Sequence, residues 1–294
     1  MDKNSEKIRG IFYIVISSIA FGVMPILAKL SYKGGANAIS TIALRFTFAS
    51  IFMFFYIKSQ KISLKLSKQQ LIRIILLGIF GYSMTSILLF ISYNYVDVGI
   101  AGMILYTYPL IVMVLSIIIY KEKFKVKKFA CLLISILGLF IMLDTKAGNI
   151  NILGVTLVMI AALCYAIYIL GVSNPLFKNI NSYVITFYIS VTSAVMGGGI
   201  GIITHSFNHK INFYGIIAIL LIAFISTVIA LMAFLKGVKL IGPTNSAIFS
   251  ALEPIVALIL GVIVLGEPLT LKVIAGSSLI VISIVQLAKD TVKN

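Results

Sequence analysis

One carboxylate in the middle of an apolar run offers this chain its sharpest chemistry. Glu253 lies about ten residues into the stretch Thr244–Leu265, which carries no other charge, and directly before Pro254. An ionised carboxylate at the centre of a bilayer is costly unless it is paired or hydrated. Such a group binds a cationic substrate, or takes up a proton on one side and releases it on the other. Its structural alternative is a hydrogen bond that closes the backbone gap left by the proline. Arg45, in IALRFTFA, falls some six residues into another apolar run. It is a partner for Glu253, a receptor for an anionic substrate group, or a side chain that snorkels to the headgroups.

The remaining polar groups inside or at the edges of the apolar runs are Tyr93, Asn94, Tyr106, Tyr108, Tyr165, Tyr168, Asn245 and Ser246. Hydroxyls, amides and aromatic faces around an otherwise uncharged cavity suit a small amphipathic or cationic metabolite. Any one of them alone is more often a helix–helix hydrogen bond than a ligand. Pro25, Pro109 and Pro254 are the candidate hinges. Pro109 and Pro254 deprive the carbonyls of Leu105 and Ser250 of their usual helical donor, which is where transporter helices bend or bind substrate.

The elements that must position these groups are membrane spans. The chain is 61% hydrophobic and only 11% charged, with a mean hydropathy of +1.13; soluble domains carry about 25% charged residues. Ten apolar segments of membrane-crossing length can be marked. The first five are Ile11–Leu30, Ile39–Ile57, Ile72–Ser92, Gly99–Tyr120 and Phe129–Leu143. The second five are Ile152–Val172, Tyr183–Thr204, Phe213–Leu235, Thr244–Leu265 and Val273–Leu287. The linkers are short, and Ile11 onward reads as a retained helix that also signals insertion. The net charge of +16 falls mainly in these linkers, so it points to lipid headgroups and orientation, with no nucleic acid implied. With the N-terminus in the cytoplasm, eighteen of the 24 Lys and Arg residues lie on the cytoplasmic side and four on the far side. Both termini are therefore expected inside the inner (plasma) membrane.

The chain also repeats itself. Pro109 and Glu122 are 13 residues apart, as are Pro254 and Glu267, and the two pairs are displaced by 145 residues. Five crossings per unit is an odd number, so the second unit enters the membrane in the opposite sense, as in transporters built from inverted repeats. The expected fold is an all-α integral membrane protein with two inverted five-helix repeats, residues 8–144 and 150–288.

These tokens, LYTYPL…YKEK, ALEPIVALILGVIVLGEPLT and IALRFTFA, resemble the drug/metabolite transporter superfamily, specifically the ten-helix type with two EamA domains. The resemblance covers about residues 8 to 288. It implies a carrier of small metabolites driven by ion gradients or exchange, and says almost nothing of the substrate. The second unit has no arginine matching Arg45, since residues 186–192 read TFYISVT. Any role the family gives that arginine carries over in the first half alone.

No glycine–lysine–serine phosphate loop, HExxH or long soluble insert is present to support ATP hydrolysis or metalloenzyme chemistry. Gly197–Gly199 and Gly201 read as close packing. Cys131, Cys164, His205 and His209 have no ligand spacing, so no metal or other cofactor is expected. Glu122, surrounded by lysines, reads as a surface ion network, and Glu267-Pro268 as a helix cap. A secondary transporter of an amino acid or amine is the reading that fits best; the competing classes are a lipid-modifying membrane enzyme, for which an acid cluster is lacking, and a non-transporting scaffold, receptor or lipid-handling protein. The expected partners are the small-molecule substrate, membrane lipids, and protons or a counter-substrate, with the chain acting as a monomer or homodimer.

Overall fold

Apolar runs of this length have one way to satisfy their backbone in hydrocarbon within a single segment, the α-helix. The computed structural model describes residues 3–92, 94–96, 98–142, 151–208, 210–265 and 269–293, and among them there is no strand. Among the described residues, nine helices are long and apolar enough to cross a membrane: Asn4–Lys33, Ala38–Ser59, Lys68–Ser92, Ile100–Tyr120, Ile152–Val172, Ser182–Ile203, Phe213–Ile241, Pro243–Val264 and Leu271–Val292. Val126–Met142, with 17 residues, lies fifth in order between the fourth and sixth of the ten.

Helix starts follow local chemistry. The side chains of Asn37, Asn151, Asn181 and Asn212 each accept from a backbone N–H of the first turn, and Ser67 with Gln70 forms a reciprocal capping box. These caps occupy the orphan donors of a helix N-terminus. Several spans run further than the hydropathy pattern implies. The eighth continues to Ile241, so Lys236 and Lys239 belong to its last turns. Both lysines fold back on neighbours: Lys236 lies 5.2 Å from the Tyr13 ring and 4.9 Å from the Tyr183 ring, and Lys239 Nζ donates to the Ile180 carbonyl. The linker 144–149, His209, Tyr93 and Glu267-Pro268 lie outside the described residues.

The pairing of spans repeats across the halves. The second packs on the seventh and the fifth on the tenth, each against its own repeat mate; the first packs on the eighth as the third packs on the sixth. That exchange is what a twofold relation between two inverted five-helix units requires. Local irregularities repeat too. Wide π-helical turns occupy Leu77–Ser83 in the third span and Ile222–Ile229 in the eighth, and their starts are again 145 residues apart.

Between spans, small residues and hydroxyls supply the adhesion that apolar lipid cannot. Ser17 Oγ donates to the Ala230 carbonyl at 2.9 Å, Ser226 Oγ to Ala20 at 2.7 Å, and Ser83 Oγ to Ser193 at 2.8 Å. Ser135 and Ser283 meet at 2.8 Å between the fifth and tenth spans. In the same seam, a Cβ on Gly138 would lie 2.6 Å from the Gly276 carbonyl, so only glycine permits that approach. Large apolar side chains such as Phe55, Ile118 and Ile203 remain exposed on the perimeter, where lipid covers them.

Candidate functional site

Three helix interruptions converge near the middle of the bundle. The first span breaks at Val23, the fourth at Tyr106-Thr107 and the ninth at Ser250-Ala251. In each, proline sits in the first turn of the following half-helix: Pro25, Pro109 and Pro254. Proline costs nothing there, since the N–H it lacks has no intrahelical acceptor. Gly22 brings the first break onto the ninth span, because a Cβ there would lie 2.8 Å from the Glu253 carbonyl and 2.6 Å from Val256 Cβ.

The break in the ninth span places Glu253 in the first turn of Leu252–Leu265, where the helix dipole favours a negative charge. Its backbone N–H donates to the Ser250 carbonyl at 2.9 Å. The carbonyl expected to be left open by Pro254 is therefore taken, because the chain tightens by one residue at the break. Ser250 Oγ in turn donates to the Ser246 carbonyl at 3.1 Å.

Glu253 joins the two halves. Tyr106 Oη donates to Glu253 Oε2 at 2.8 Å, while Oε1 is buried with no hydrogen-bond partner among the described residues. The same holds for the hydroxyls of Tyr108 and Tyr168. A buried carboxylate oxygen and two buried hydroxyls without partners are unusual, since such groups are costly to leave unmade.

The tyrosines form one continuous cluster. Tyr106 and Tyr108 have ring centroids 5.9 Å apart, Tyr108 meets Tyr165 edge-on at 4.7 Å, and Tyr165 stacks on Tyr168 at 6.0 Å. Tyr82 of the third span closes it, 5.2 Å from Tyr168 and 6.4 Å from Tyr165. The sequence reading missed Tyr82; its position four residues before Ser86, in a run with no other polar aromatic, gave little reason to select it. Phe46 meets Tyr82 at 5.7 Å, and the Arg45 guanidinium lies 4.3 Å from the Phe46 ring.

Arg45 is 2% exposed, so it does not snorkel. Nor does it pair with Glu253. Its Nη1 donates to Met24 Sδ at 2.9 Å and Nη2 to Ser86 Oγ at 3.2 Å, which ties the second span to the first and third. The aromatic cluster therefore runs from a carboxylate at one end to a guanidinium at the other.

Three of the candidate residues lie elsewhere. Asn94 is an exposed turn residue beyond the third span, where it helps line a pocket of about 260 Å³ with Asn37, Phe90 and Ser206. Asn245 and Ser246 sit two turns before Glu253 on the ninth span. Their side chains donate to the carbonyls of Ile241, the last residue of the eighth span, and of Gly242, the N-cap of the ninth, both at 2.8 Å. Hydropathy marks a polar residue within a span but does not say how far along it the centre lies. Among the described residues no three His, Cys, Asp or Glu come together as a metal site.

Glu122 makes more than a surface network. Its Oε1 accepts from Lys128 Nζ at 2.9 Å, and its Oε2 from Thr244 Oγ1 of the other half at 2.7 Å.

Comparison with known proteins agrees with this architecture. The model of the EamA-like transporter family matches residues 8–144 and again 152–288. An uncharacterized transporter of Archaeoglobus fulgidus is 28% identical over 273 residues, covering 88% of this chain and 92% of that protein. The uncharacterized transporter YcbK of Bacillus subtilis is 25% identical over 291 residues, covering 93% and 91%. A solved crystal structure superposes over the whole of both chains with a TM-score of 0.83 at 15% identity, which speaks for the fold alone. With a family match on each half and two repeats visible in the packing, this chain is a multi-pass membrane protein that belongs to the EamA-like transporter family.

Proposed function

We propose that the chain is a secondary active transporter that moves a small polar or amphipathic metabolite, such as an amino acid or amine, by alternating access. The carrying observation is the 2.8 Å hydrogen bond between Tyr106 and Glu253, made between the two halves at paired helix breaks. A rocking motion of one half against the other must remake this contact, so substrate or proton exchange at the carboxylate is linked to the change of access. The unpartnered Glu253 oxygen accepts an ammonium group or a proton, and the tyrosine faces receive the apolar and cationic parts of the substrate. Export is the favoured direction, with both termini in the cytoplasm and the inner (plasma) membrane as location. The chemistry is movement without covalent change, so the chain is not an enzyme.

The test is a growth and resistance screen of deletion and overexpressing strains against amino acids, amines and toxic analogues. Counterflow of the strongest hits in proteoliposomes follows. Saturable counterflow of at least one such compound supports the reading, and its absence across the set removes it.

A further inference from the structure

The two ends of the bundle are not alike, although the halves are. The end that carries most of the Lys and Arg residues is called the basic end. There, Ala247, Ile248 and Phe249 of the ninth span are fully buried. Their repeat mates at the opposite end, Gly102, Met103 and Ile104 of the fourth span, are half-exposed. A Cβ on Gly102 would meet nothing within 4 Å. The same contrast holds just beyond the two prolines, where Val112 and Met113 are buried and their mates Ala257 and Leu258 are half-exposed. The fourth and ninth spans are packed together towards the basic end and looser towards the other.

At the packed end the halves are joined by polar side chains. Glu122, just past the fourth span, accepts at 2.7 Å from Thr244 at the start of the ninth, and Lys128 holds its second oxygen at 2.9 Å. Lys121, immediately before it, is left-handed at φ 53°, a conformation that residues other than glycine rarely adopt. This turn aims Glu122 back across the helix end, with its N–H on the Ser116 carbonyl at 3.3 Å. Local strain that persists at such a point is held by the contacts around it. The repeat mates of Thr244 and Lys128 are Gly99 and Val273. Neither can donate from a side chain, so the opposite end cannot build the same arrangement at those positions.

We propose that Thr244, Glu122 and Lys128 form a latch that holds the basic end shut, so that the chain rests open at the opposite end and must release Thr244 to open at the basic one. Its purpose rests on the alternating-access reading, but its test needs no substrate, so failure of one is distinguishable from failure of the other. In protein with Cys131→Ser and Cys164→Ser, reconstituted in lipid nanodiscs, two single cysteines report on the ends: Ala247→Cys and its mate Gly102→Cys. Maleimide is expected to label Gly102→Cys readily and Ala247→Cys slowly. Adding Thr244→Val raises the Ala247→Cys rate roughly tenfold, as loss of one charge-assisted hydrogen bond shifts a two-state balance, and lowers the Gly102→Cys rate. Thr244→Ser, which keeps the hydroxyl, restores the parent pattern. An unchanged Ala247→Cys rate in Thr244→Val, or equal opening by Thr244→Ser, overturns the latch. If Thr244→Val does not fold, Lys128→Gln carries the test: a rise in Ala247→Cys labelling of a few-fold supports the latch, and no rise removes it.

Discussion

Tyr106 of the fourth span donates a 2.8 Å hydrogen bond to Glu253 of the ninth, so the one mid-span acid of the second half is held by the first half. Replacing Tyr106 by Phe keeps the ring and its 5.9 Å approach to Tyr108 but leaves Glu253 Oε2 without that donor. A hydrogen bond to a charged group contributes about 1.5–3 kcal/mol, so proteoliposome flux at limiting substrate is expected to fall about ten- to a hundredfold. The melting midpoint in detergent should fall as well, since the same hydrogen bond joins the two halves of the folded protein. Unchanged flux would make the hydrogen bond incidental.

The seam between the fifth and tenth spans depends on absent side chains. Gly138→Ala would place a methyl 2.6 Å from the Gly276 carbonyl and 2.8 Å from Ile280, and backbone cannot yield as a flexible side chain does. Overpacking of this kind costs about 1–3 kcal/mol. The melting midpoint in detergent should drop by several degrees, while Gly102→Ala, which meets nothing within 4 Å, should leave it unchanged.

Arg45 is predicted to resist conservative replacement. Its guanidinium contacts Met24, Ser86 and the face of Phe46 together, a geometry that a planar fork meets and an ammonium does not. Arg45→Lys is expected to lower stability by about 1–2 kcal/mol through lost stacking and one lost bond. Ser86→Ala should cost less. Equal melting curves for wild type and Arg45→Lys would contradict this account.

Much of the architecture could be read from residue order because its markers are strong. Prolines and glutamates at equal spacing survive in both halves, and ten apolar runs leave little choice of fold. Asn37 and Asn212 announce helix starts by chemistry that acts over three residues. The wide turns at Leu77–Ser83 and Ile222–Ile229 were not legible, since LGIFGYS and IAFISTVI share no residue pattern. Lys236 and Lys239 looked like linker residues because their charge masks a helix end that folds onto aromatic rings and a carbonyl. Glu122 looked like a purely local ion pair for the reason that Thr244 is 122 residues away. Tyr82 and Phe46 join the site only through tertiary contact, and Asn94 leaves it for the same reason.

The orientation proposed from charge can be checked separately. Single cysteines at Lys65 or Lys125 are expected to react with an impermeant maleimide only in broken or inverted membranes, whereas one at Ser206 should react in intact cells. The reverse pattern would invert the assignment of the two ends.

The most direct test of the account is Glu253→Gln, which preserves shape and removes the titrating group. Flux through wild-type protein in proteoliposomes should respond to an imposed pH difference, and Glu253→Gln should lose both that response and most of the net flux while still folding and inserting. Full flux with its pH response intact in Glu253→Gln would show that the carboxylate at the meeting point of the two halves is not the group that couples them.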